Sequence, residues 1–441
     1  MTSGNGQQTV RPSLLRDQSA GHAAVSYLEL FLDLVFVFAI TQLSHFLLEN
    51  LTWPGAVQTL ILFLAVWWAW IYTTWATNWV NPERGPVRFM VAGVMIGSLV
   101  LSSALPFAFG QGGLVFAIAY VAIQVLRTCF VVWAMRHHDD RNARNMTRAV
   151  IYFCLAAVFW ISGGLVPEPQ ARVLLWSIAL AIEYAAPVLV FWVPWLGRAN
   201  TTDWAISGGH MAERCALFII IALGEGIIVT GNEFTHVEAG WPSIAAFMAA
   251  FASSFALWWV YFDLGARRGA EHIERHADPG RIARDAFTYW HLPIVAGIVV
   301  LAVIDEQTLR HPLEAASRTF VAVLTIGSAL FVGGAMVFKR LTSGRSWFPL
   351  SHVFGLWLLA AVALWGWLAA PSHLAMAIVL AVVFTVIALW EWVSFHGGWI
   401  GRVERRFGPL GRILRRYNDR VRERRLRRGK DVADQVRDPA P

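Results

Sequence analysis

A segment near the C-terminal end of the chain has the sequence HLAMAIVLAVVFTVIALW, from His373 to Trp390, and contains no Asp, Glu, Lys or Arg. A helix rises about 1.5 Å per residue, so about 20 mostly apolar residues are needed to cross the roughly 30 Å hydrocarbon core of a bilayer. With a few flanking residues on each side, this segment meets that requirement. It therefore predicts a membrane-spanning helix.

Eleven further segments of similar length and composition precede it, so the sequence predicts an all-α polytopic membrane helix bundle with about twelve transmembrane helices. The predicted spans are 25–48, 55–77, 88–107, 113–134, 149–166, 172–195, 212–231, 243–263, 287–304, 318–338, 349–369 and 372–395. Only 15% of the 441 residues are charged, whereas soluble domains usually have about a quarter. The composition therefore excludes a soluble globular protein.

The net charge of +7 is concentrated in one place. Residues 402–441 contain fourteen Lys or Arg and six Asp or Glu, and the first 401 residues have a net charge of −1. The body of the protein is therefore not basic, and no nucleic-acid partner is expected for it.

Among the predicted loops, eighteen basic residues lie on one side of the membrane and three on the other. Because cytoplasmic loops retain Lys and Arg, this predicts a multi-pass protein of the cell membrane with both termini cytoplasmic.

Four segments follow from these patterns: a cytoplasmic N-terminal segment (1–24), a first six-helix half (25–195), a second six-helix half (196–396) and a basic tail (397–441). YLELF at Tyr27 and MAERC at Met211 open the first and seventh spans, 184 residues apart. Each is followed in the next span by a Trp pair, beginning at Trp67 and Trp258, 191 residues apart. These offsets predict two parallel six-helix repeats. Alternatively, the Trp pairs only anchor helices at the membrane interface.

Two long motifs carry a family resemblance. ELFLDLVFVFAITQLSH (Glu29 to His45) and HMAERCALFIIIALGEG (His210 to Gly226) resemble the two signature stretches of the bacterial low temperature requirement A family. The resemblance implies an integral membrane protein and no particular biochemical activity. Where the family pattern often has a serine after the acid at Glu225, this chain has Gly226.

Charged side chains inside spans are the main functional candidates, because each costs about 2.5–3.5 kcal/mol near the bilayer centre unless it has a partner, a proton or water. Asp33 in the first span and Arg127 in the fourth are predicted to lie about 12 and 13 Å from the same surface. The sequence therefore predicts an Asp33–Arg127 ion pair, with Glu29 one turn below Asp33. This pair either fixes helix packing or belongs to a transport path.

Glu183 and Glu225 are both predicted at a depth of about 18–20 Å, near the midplane and far from any basic residue of a span. Pro187 predicts a kink beside Glu183, and the glycines that flank Glu225 allow close helix approach or local unwinding. Such features resemble the midplane sites of transporters. Alternatively, each acid only forms a hydrogen bond inside the bundle. Together with Glu29, Asp33 and Arg127, these acids form the predicted proton or solute site.

Five other polar residues are secondary candidates. Gln42 and His45 lie near the outer end of the first span, where an interhelical hydrogen bond is favoured for Gln42 and an interface position for His45, which could also titrate near neutral pH. His210, Glu213 and Arg214 lie at the cytoplasmic start of the seventh span, where an acid favours a helix N-terminus.

The tail contains apolar residues at helical spacing between arginines, including Arg412, Arg415, Arg416 and Arg420. A basic amphipathic helix next to a span predicts contact with anionic lipid. A partner helix or RNA are alternatives for the tail.

No nucleotide-binding loop, nucleophile elbow or metal-ligand cluster occurs in the sequence, so neither a metal nor another cofactor is predicted. The leading hypothesis is a proton-coupled secondary transporter or channel-like carrier of an unknown small solute or ion. A membrane-embedded enzyme acting on lipid, which is less favoured, and a non-catalytic organiser of membrane proteins are the alternatives.

Overall fold

The computed structural model describes residues 13–16, 25–136, 138–201, 204, 206–238, 240–262, 278–343 and 347–395. In this part of the chain the regular structure is helical, and twelve helices are long and apolar enough to cross a membrane. They are α1 (Tyr27–Glu49), α2 (Trp53–Trp79), α3 (Gly85–Ala104), α4 (Gly113–Met135), α5 (Asp140–Leu165), α6 (Pro169–Val188), α7 (Gly208–Phe234), α8 (Trp241–Phe262), α9 (Pro279–Arg310), α10 (Arg318–Thr342), α11 (Leu350–Ala369) and α12 (His373–Phe395). The predicted twelve-span helical membrane protein is confirmed.

Several helices begin at a hydroxyl side chain that accepts a hydrogen bond from a backbone amide of the first turn. Ser26, Thr52, Ser207 and Ser317 have this role before α1, α2, α7 and α10. At Ser26 the arrangement is a capping box, because the Glu29 carboxylate also accepts from the Ser26 amide at 2.9 Å. These caps satisfy amides that the helix itself leaves without acceptors.

Two helix ends differ from the sequence prediction. The fifth helix begins at Asp140 rather than near residue 149, because the Asp139 carboxylate caps it and accepts from the Asn142 amide at 3.1 Å. The sixth helix ends at Val188 rather than near residue 195. Pro187 lies in its last turn, so instead of a kink within a longer helix, the chain leaves the helix one residue after the proline.

The ninth helix is longer than predicted and changes its hydrogen-bond pattern. It begins with an α-helical turn (Pro279–Ala283), continues as a π-helix (Arg284–Tyr289) and then runs as an α-helix from His291 to Arg310. The Trp290 amide donates to the Asp285 carbonyl, five residues earlier, at 3.1 Å. Such wide turns are uncommon and occur frequently at functional sites.

The helices of the two halves pack in the same order. In the first half, α1 packs on α2 and α3, α3 on α4, α4 on α5, and α6 on α5 and α2. In the second half, α7 packs on α8 and α9, α9 on α10, α10 on α11, and α12 on α11 and α8. Adding six to each helix number converts these neighbours of the first half into those of the second, whereas the packing of α2 on α4 and of α8 on α9 is not matched to the same extent in the other half. The two-repeat organisation stays a prediction, which this pattern supports.

The two Trp pairs occupy different environments. Trp67 and Trp68 on α2 are buried in the bundle, while Trp258 on α8 is 41% exposed. Anchoring at the membrane interface therefore does not explain the first pair. Helix α2 lies inside the bundle, where it packs on α1, α4, α6 and α7.

Candidate functional site

The first polar cluster lies at the N-terminal ends of α1 and α7, on what we call the inner side. Glu29 is completely buried, and its carboxylate pairs with Arg16 at 3.2 Å and lies 2.9 Å from Nε2 of His210. The contact with His210 joins α1 to α7. Two of the predicted candidates, Glu29 and His210, therefore meet directly.

Asp33, one turn further along α1, pairs with Arg214 of α7 at 2.8 Å and accepts a hydrogen bond from the Trp70 indole at 2.8 Å. Arg214 is completely buried, two turns into its helix, and also donates to the Glu29 carbonyl at 2.6 Å. The predicted Asp33–Arg127 pair is therefore wrong, since no ion pair within 4 Å joins these two described residues. Their similar predicted depths did not reveal which helices are neighbours.

Arg127 instead belongs to a buried network in the first half. Its guanidinium donates to the Ala69 carbonyl at 3.2 Å, to Thr73 at 3.1 Å and to Gln124 at 2.5 Å. Gln124 in turn donates to the Tyr120 hydroxyl at 2.9 Å, and that hydroxyl donates to Glu183.

Glu183 ends this chain of hydrogen bonds on α6. It is 2% exposed, and its second carboxylate oxygen accepts from the Trp160 indole at 3.1 Å. Arg127, Gln124, Tyr120, Glu183 and Trp160 are called the first-half network below. Glu183 and Arg127 were predicted as separate candidates, and the structure connects them through two neutral side chains.

Glu225 lies on the seam between the halves. Its carboxylate accepts a hydrogen bond from the Thr41 hydroxyl of α1 at 2.6 Å, and the side chain is partly exposed. Helix α7 continues unbroken through Gly224 and Gly226, so local unwinding does not occur. Close approach does not require these glycines either, because a methyl group at Gly226 would lie 4.0 Å from Ala302 and one at Gly224 would meet nothing within 4 Å.

The remaining secondary candidates are spread over the bundle. Gln42 is partly exposed and His45 is exposed, both on the outer part of α1. Glu213 accepts from the Val25 amide at 3.4 Å beside the first cluster. The interhelical hydrogen bond expected for Gln42 is not present among the described residues.

The comparisons with known proteins agree with this architecture. The family model of the bacterial low temperature requirement A protein, LtrA, matches residues 24–388. The chain belongs to the LtrA family. It is also 39% identical over 384 residues to uncharacterized protein RA0937 of Rhizobium meliloti (strain 1021), covering 86% of this chain and 92% of that protein.

The second half of this LtrA protein contains a buried ion pair that sequence reasoning missed. Lys339 of α10 pairs with Glu391 of α12 at 2.5 Å and donates to the Val260 carbonyl of α8. The tenth span was predicted to end at residue 338, so the lysine was expected in a loop. The available signal was the single lysine directly after an apolar run in a chain whose basic residues are almost all arginine.

Acids near the outer end of α9 were also missed. Glu306 is 3% exposed and pairs with Arg310, which also pairs with Glu233 of α7 at 3.0 Å. The spacing of four residues between Glu306 and Arg310 was a usable signal for a helical pair. Asp305 is partly exposed and has no hydrogen-bond or ion-pair partner among the described residues. The tail residues Arg412, Arg415, Arg416 and Arg420 lie outside the described residues.

Proposed function

We propose that this LtrA-family protein is a secondary transporter or channel-like carrier that couples movement of a small solute to movement of protons. The observation that carries the proposal is the hydrogen bond between Glu225 and Thr41. Glu225 thus has a partly exposed carboxyl group between α1 and α7, two of the helices through which the halves contact each other.

The seam between α1 and α7 has polar contacts at three successive levels. From the inner side outward these are Glu29 with His210, Asp33 with Arg214, and Thr41 with Glu225. Permanent packing of two halves does not require such contacts, since well-packed apolar residues often replace buried ion pairs without loss of stability. Contacts that must form and break in a cycle do favour polar groups.

Glu225 fits the role of a proton carrier because its partner is neutral. Among the described residues, no cation lies within 4 Å of its carboxylate, so adding or removing a proton disturbs only the bond with Thr41. Asp305 lies on α9, one turn outward from the point where Gly226 faces Ala302. This second acid lies about 6 Å further outward than Glu225 along the helix axes.

The inner cluster fits the role of a gate. Arg214 holds both the Asp33 carboxylate and the Glu29 carbonyl of the other half, so these bonds must break before α1 and α7 separate at their inner ends. We also place the protein in the cell membrane with its inner side facing the cytoplasm, as the bias of basic loop residues predicts. The basic tail would contact anionic lipid at that surface.

Proton movement in liposomes tests the proposal. Purified protein would be reconstituted into liposomes that contain a pH-sensitive dye, and a pH gradient would be imposed across the membrane. Each member of a panel of salts and metabolites would then be added, and acidification of the lumen would be followed by the dye. We expect at least one solute to start proton uptake, and Glu225→Gln to reduce the rate at least tenfold.

Glu49→Gln is the matched control, because Glu49 is an exposed acid at the outer end of α1 and undergoes the same chemical change. It should keep the native rate. Equal rates in Glu225→Gln and native protein would remove Glu225 from the mechanism. No uptake with any solute of the panel would contradict the transport proposal.

A further inference from the structure

A small cavity lies beside Arg127, between α2, α4, α5, the chain after α6 and the π-helical part of α9. Its volume is about 30 Å³, and its walls include Tyr72, Trp75, Phe191, Trp204 and both Arg127 and Arg284. Space of this size holds one or two water-sized groups. No acidic residue belongs to the described residues that line it.

Arg127 is 2% exposed, yet its hydrogen bonds all go to neutral acceptors. Within the described residues no carboxylate lies within 4 Å of it. Its guanidinium carbon lies 5.6 Å from the centre of the Tyr72 ring and 5.9 Å from that of Phe153. A cation buried in a membrane bundle without a direct counter-charge is costly, and so indicates that a counter-charge binds there.

The second half shows what a completed version of this arrangement looks like. Lys339 donates to the carbonyl of Val260, and Arg127 donates to the carbonyl of Ala69. The two acceptors, Ala69 and Val260, are 191 residues apart. This offset is the one that relates the two Trp pairs. In the second half the cation reaches the acid Glu391 directly, whereas in the first half Gln124 and Tyr120 stand between the cation and its acid.

The backbone around the cavity has unusual conformations. Val190 and Phe191 have φ values of 53° and 48°, in the left-handed region that residues with a side chain rarely adopt. The π-helix supplies Arg284 to the lining, and this residue donates to the Pro187 carbonyl at 2.8 Å and pairs with Asp285. Strained backbone and π-helical turns occur preferentially at ligand sites.

We propose that this cavity binds a small monovalent anion of about the size of a halide, with Arg127 as its direct counter-charge. The aromatic walls suit such an ion because the edges of aromatic rings carry partial positive charge. Arg284, which pairs with Asp285, also lines the cavity. Binding itself does not depend on transport, and only the identification of this anion as the moved solute rests on the proposed function.

The first-half network would then connect the anion with a proton. The titratable or charged groups near Glu183 are Tyr72, Tyr120, Arg127 and Tyr184. Because Glu183 is the one acid of this set, adding a proton to it leaves the charge of Arg127 without compensation. A proton on Glu183 and an anion at Arg127 therefore favour each other, and this coupling is reciprocal.

Equilibrium binding of bromide tests the site. Purified full-length protein in nanodiscs would be titrated with sodium bromide against sodium gluconate at constant ionic strength and pH. Bromide quenches tryptophan fluorescence, and Trp75, Trp79 and Trp204 line the cavity. We expect a saturable component of quenching in the native protein, above the linear quenching of exposed tryptophans, together with a rise in melting temperature over the same bromide range.

Arg127→Gln should abolish the saturable component, and Arg284→Gln should weaken bromide binding at least fivefold. If Arg127→Gln does not fold, Gln124→Glu replaces it, because a carboxylate beside Arg127 would compete with the anion. Arg318→Gln is the control, since this exposed guanidinium lies over Trp367, far from the cavity lining. It should bind bromide as the native protein does.

Absence of a saturable bromide response in native protein, or an equal response in Arg127→Gln, overturns the anion site. Neither result affects proton uptake that depends on Glu225. Conversely, bromide binding without solute-dependent proton uptake leaves the anion site standing and contradicts the transport proposal, so the two failures are distinguishable.

Discussion

The first-half network and the Lys339–Glu391 pair each combine a buried cation with a buried acid, but the distance between cation and acid differs. In both, a cation from the fourth helix of a half donates to a carbonyl of the second helix, and an acid comes from the sixth. The second-half cation contacts its acid, while the first-half cation is separated from it by two neutral side chains and borders a cavity. The difference separates a closed structural pair from an arrangement with room for a ligand.

The largest effect is expected at the closed pair. Glu391→Gln would leave Lys339 buried without its counter-charge, and breaking such a pair typically costs about 3–5 kcal/mol. Thermal unfolding in detergent would measure the loss. In the double variant Lys339→Met/Glu391→Leu the loss should fall below about 1.5 kcal/mol, because no unpaired charge remains. If the single and double variants are equally unstable, the pair is not what stabilises this region.

A smaller effect is expected at Tyr120, whose hydroxyl joins the two ends of the first-half network. Tyr120→Phe removes the donor to Glu183 and the acceptor of Gln124 together, so we expect a loss of about 2 kcal/mol in the free energy of unfolding. Tyr261→Phe is the matched control in the second half. Among the residues that the structure describes, its hydroxyl has one hydrogen-bond partner, His291 at 2.7 Å, and the substitution should cost about 1 kcal/mol. Equal losses would contradict a connecting role for Tyr120.

Glu183→Gln should destabilise less than Glu391→Gln, although both acids are buried. The donors to Glu183 are the neutral groups of Tyr120 and Trp160, which reach different carboxylate oxygens, so the one amide oxygen of Gln keeps one of the two bonds. We expect a loss of about 1 kcal/mol by thermal unfolding. A loss as large as that of Glu391→Gln would mean that Glu183 serves as a direct counter-charge and that the two halves do not differ in this way.

The smallest change in stability is expected when the first half is made like the second. Gln124→Glu would put a carboxylate at the position 2.5 Å from the Arg127 guanidinium. Because the gain in attraction and the cost of burying the new charge oppose each other, we expect the free energy of unfolding to change by less than about 1 kcal/mol. The bromide-dependent rise in melting temperature should disappear. Its persistence in this variant would contradict the comparison.

The sequence was sufficient for the twelve spans, because apolar length is a local property of the chain. It was also sufficient to name Glu29, Asp33, Glu183 and Arg127 as polar residues buried in the bundle, since each interrupts an apolar run. Which of these charged residues pair with each other could not be predicted in the same way. Depth along a helix follows from counting residues, but Asp33 meets Arg214 rather than Arg127 because α1 packs on α7, and only tertiary structure specifies that contact.

Local backbone conformation was the second feature that could not be predicted from the sequence. Lys339 was assigned to a loop because hydropathy cannot tell whether a helix continues for one turn beyond an apolar run. The π-helical turn of α9 and the positive φ angles at Val190 and Phe191 had no recognised sequence signal, since neither site contains glycine. These features surround the cavity, so Arg127 could be predicted as a buried residue while the cavity beside it could not.

The π-helical turn of α9 also sets the rotational phase between the inner end of that helix and its membrane part. If the six residues Arg284–Tyr289 formed an ordinary α-helix, the preceding residues would be turned by about 100° relative to those that follow, because a π-helical turn rotates the chain less per residue. Trp67 and Trp75 of α2 donate hydrogen bonds to Thr288, which lies in this turn, at 2.8 and 2.9 Å. These bonds join α2 of the first half to α9. Trp67 donates to a backbone carbonyl, which no substitution of Thr288 removes. Loss of the π-helical turn at unchanged chain length, more than a substitution at Thr288, is therefore the change that would alter how the two halves are joined.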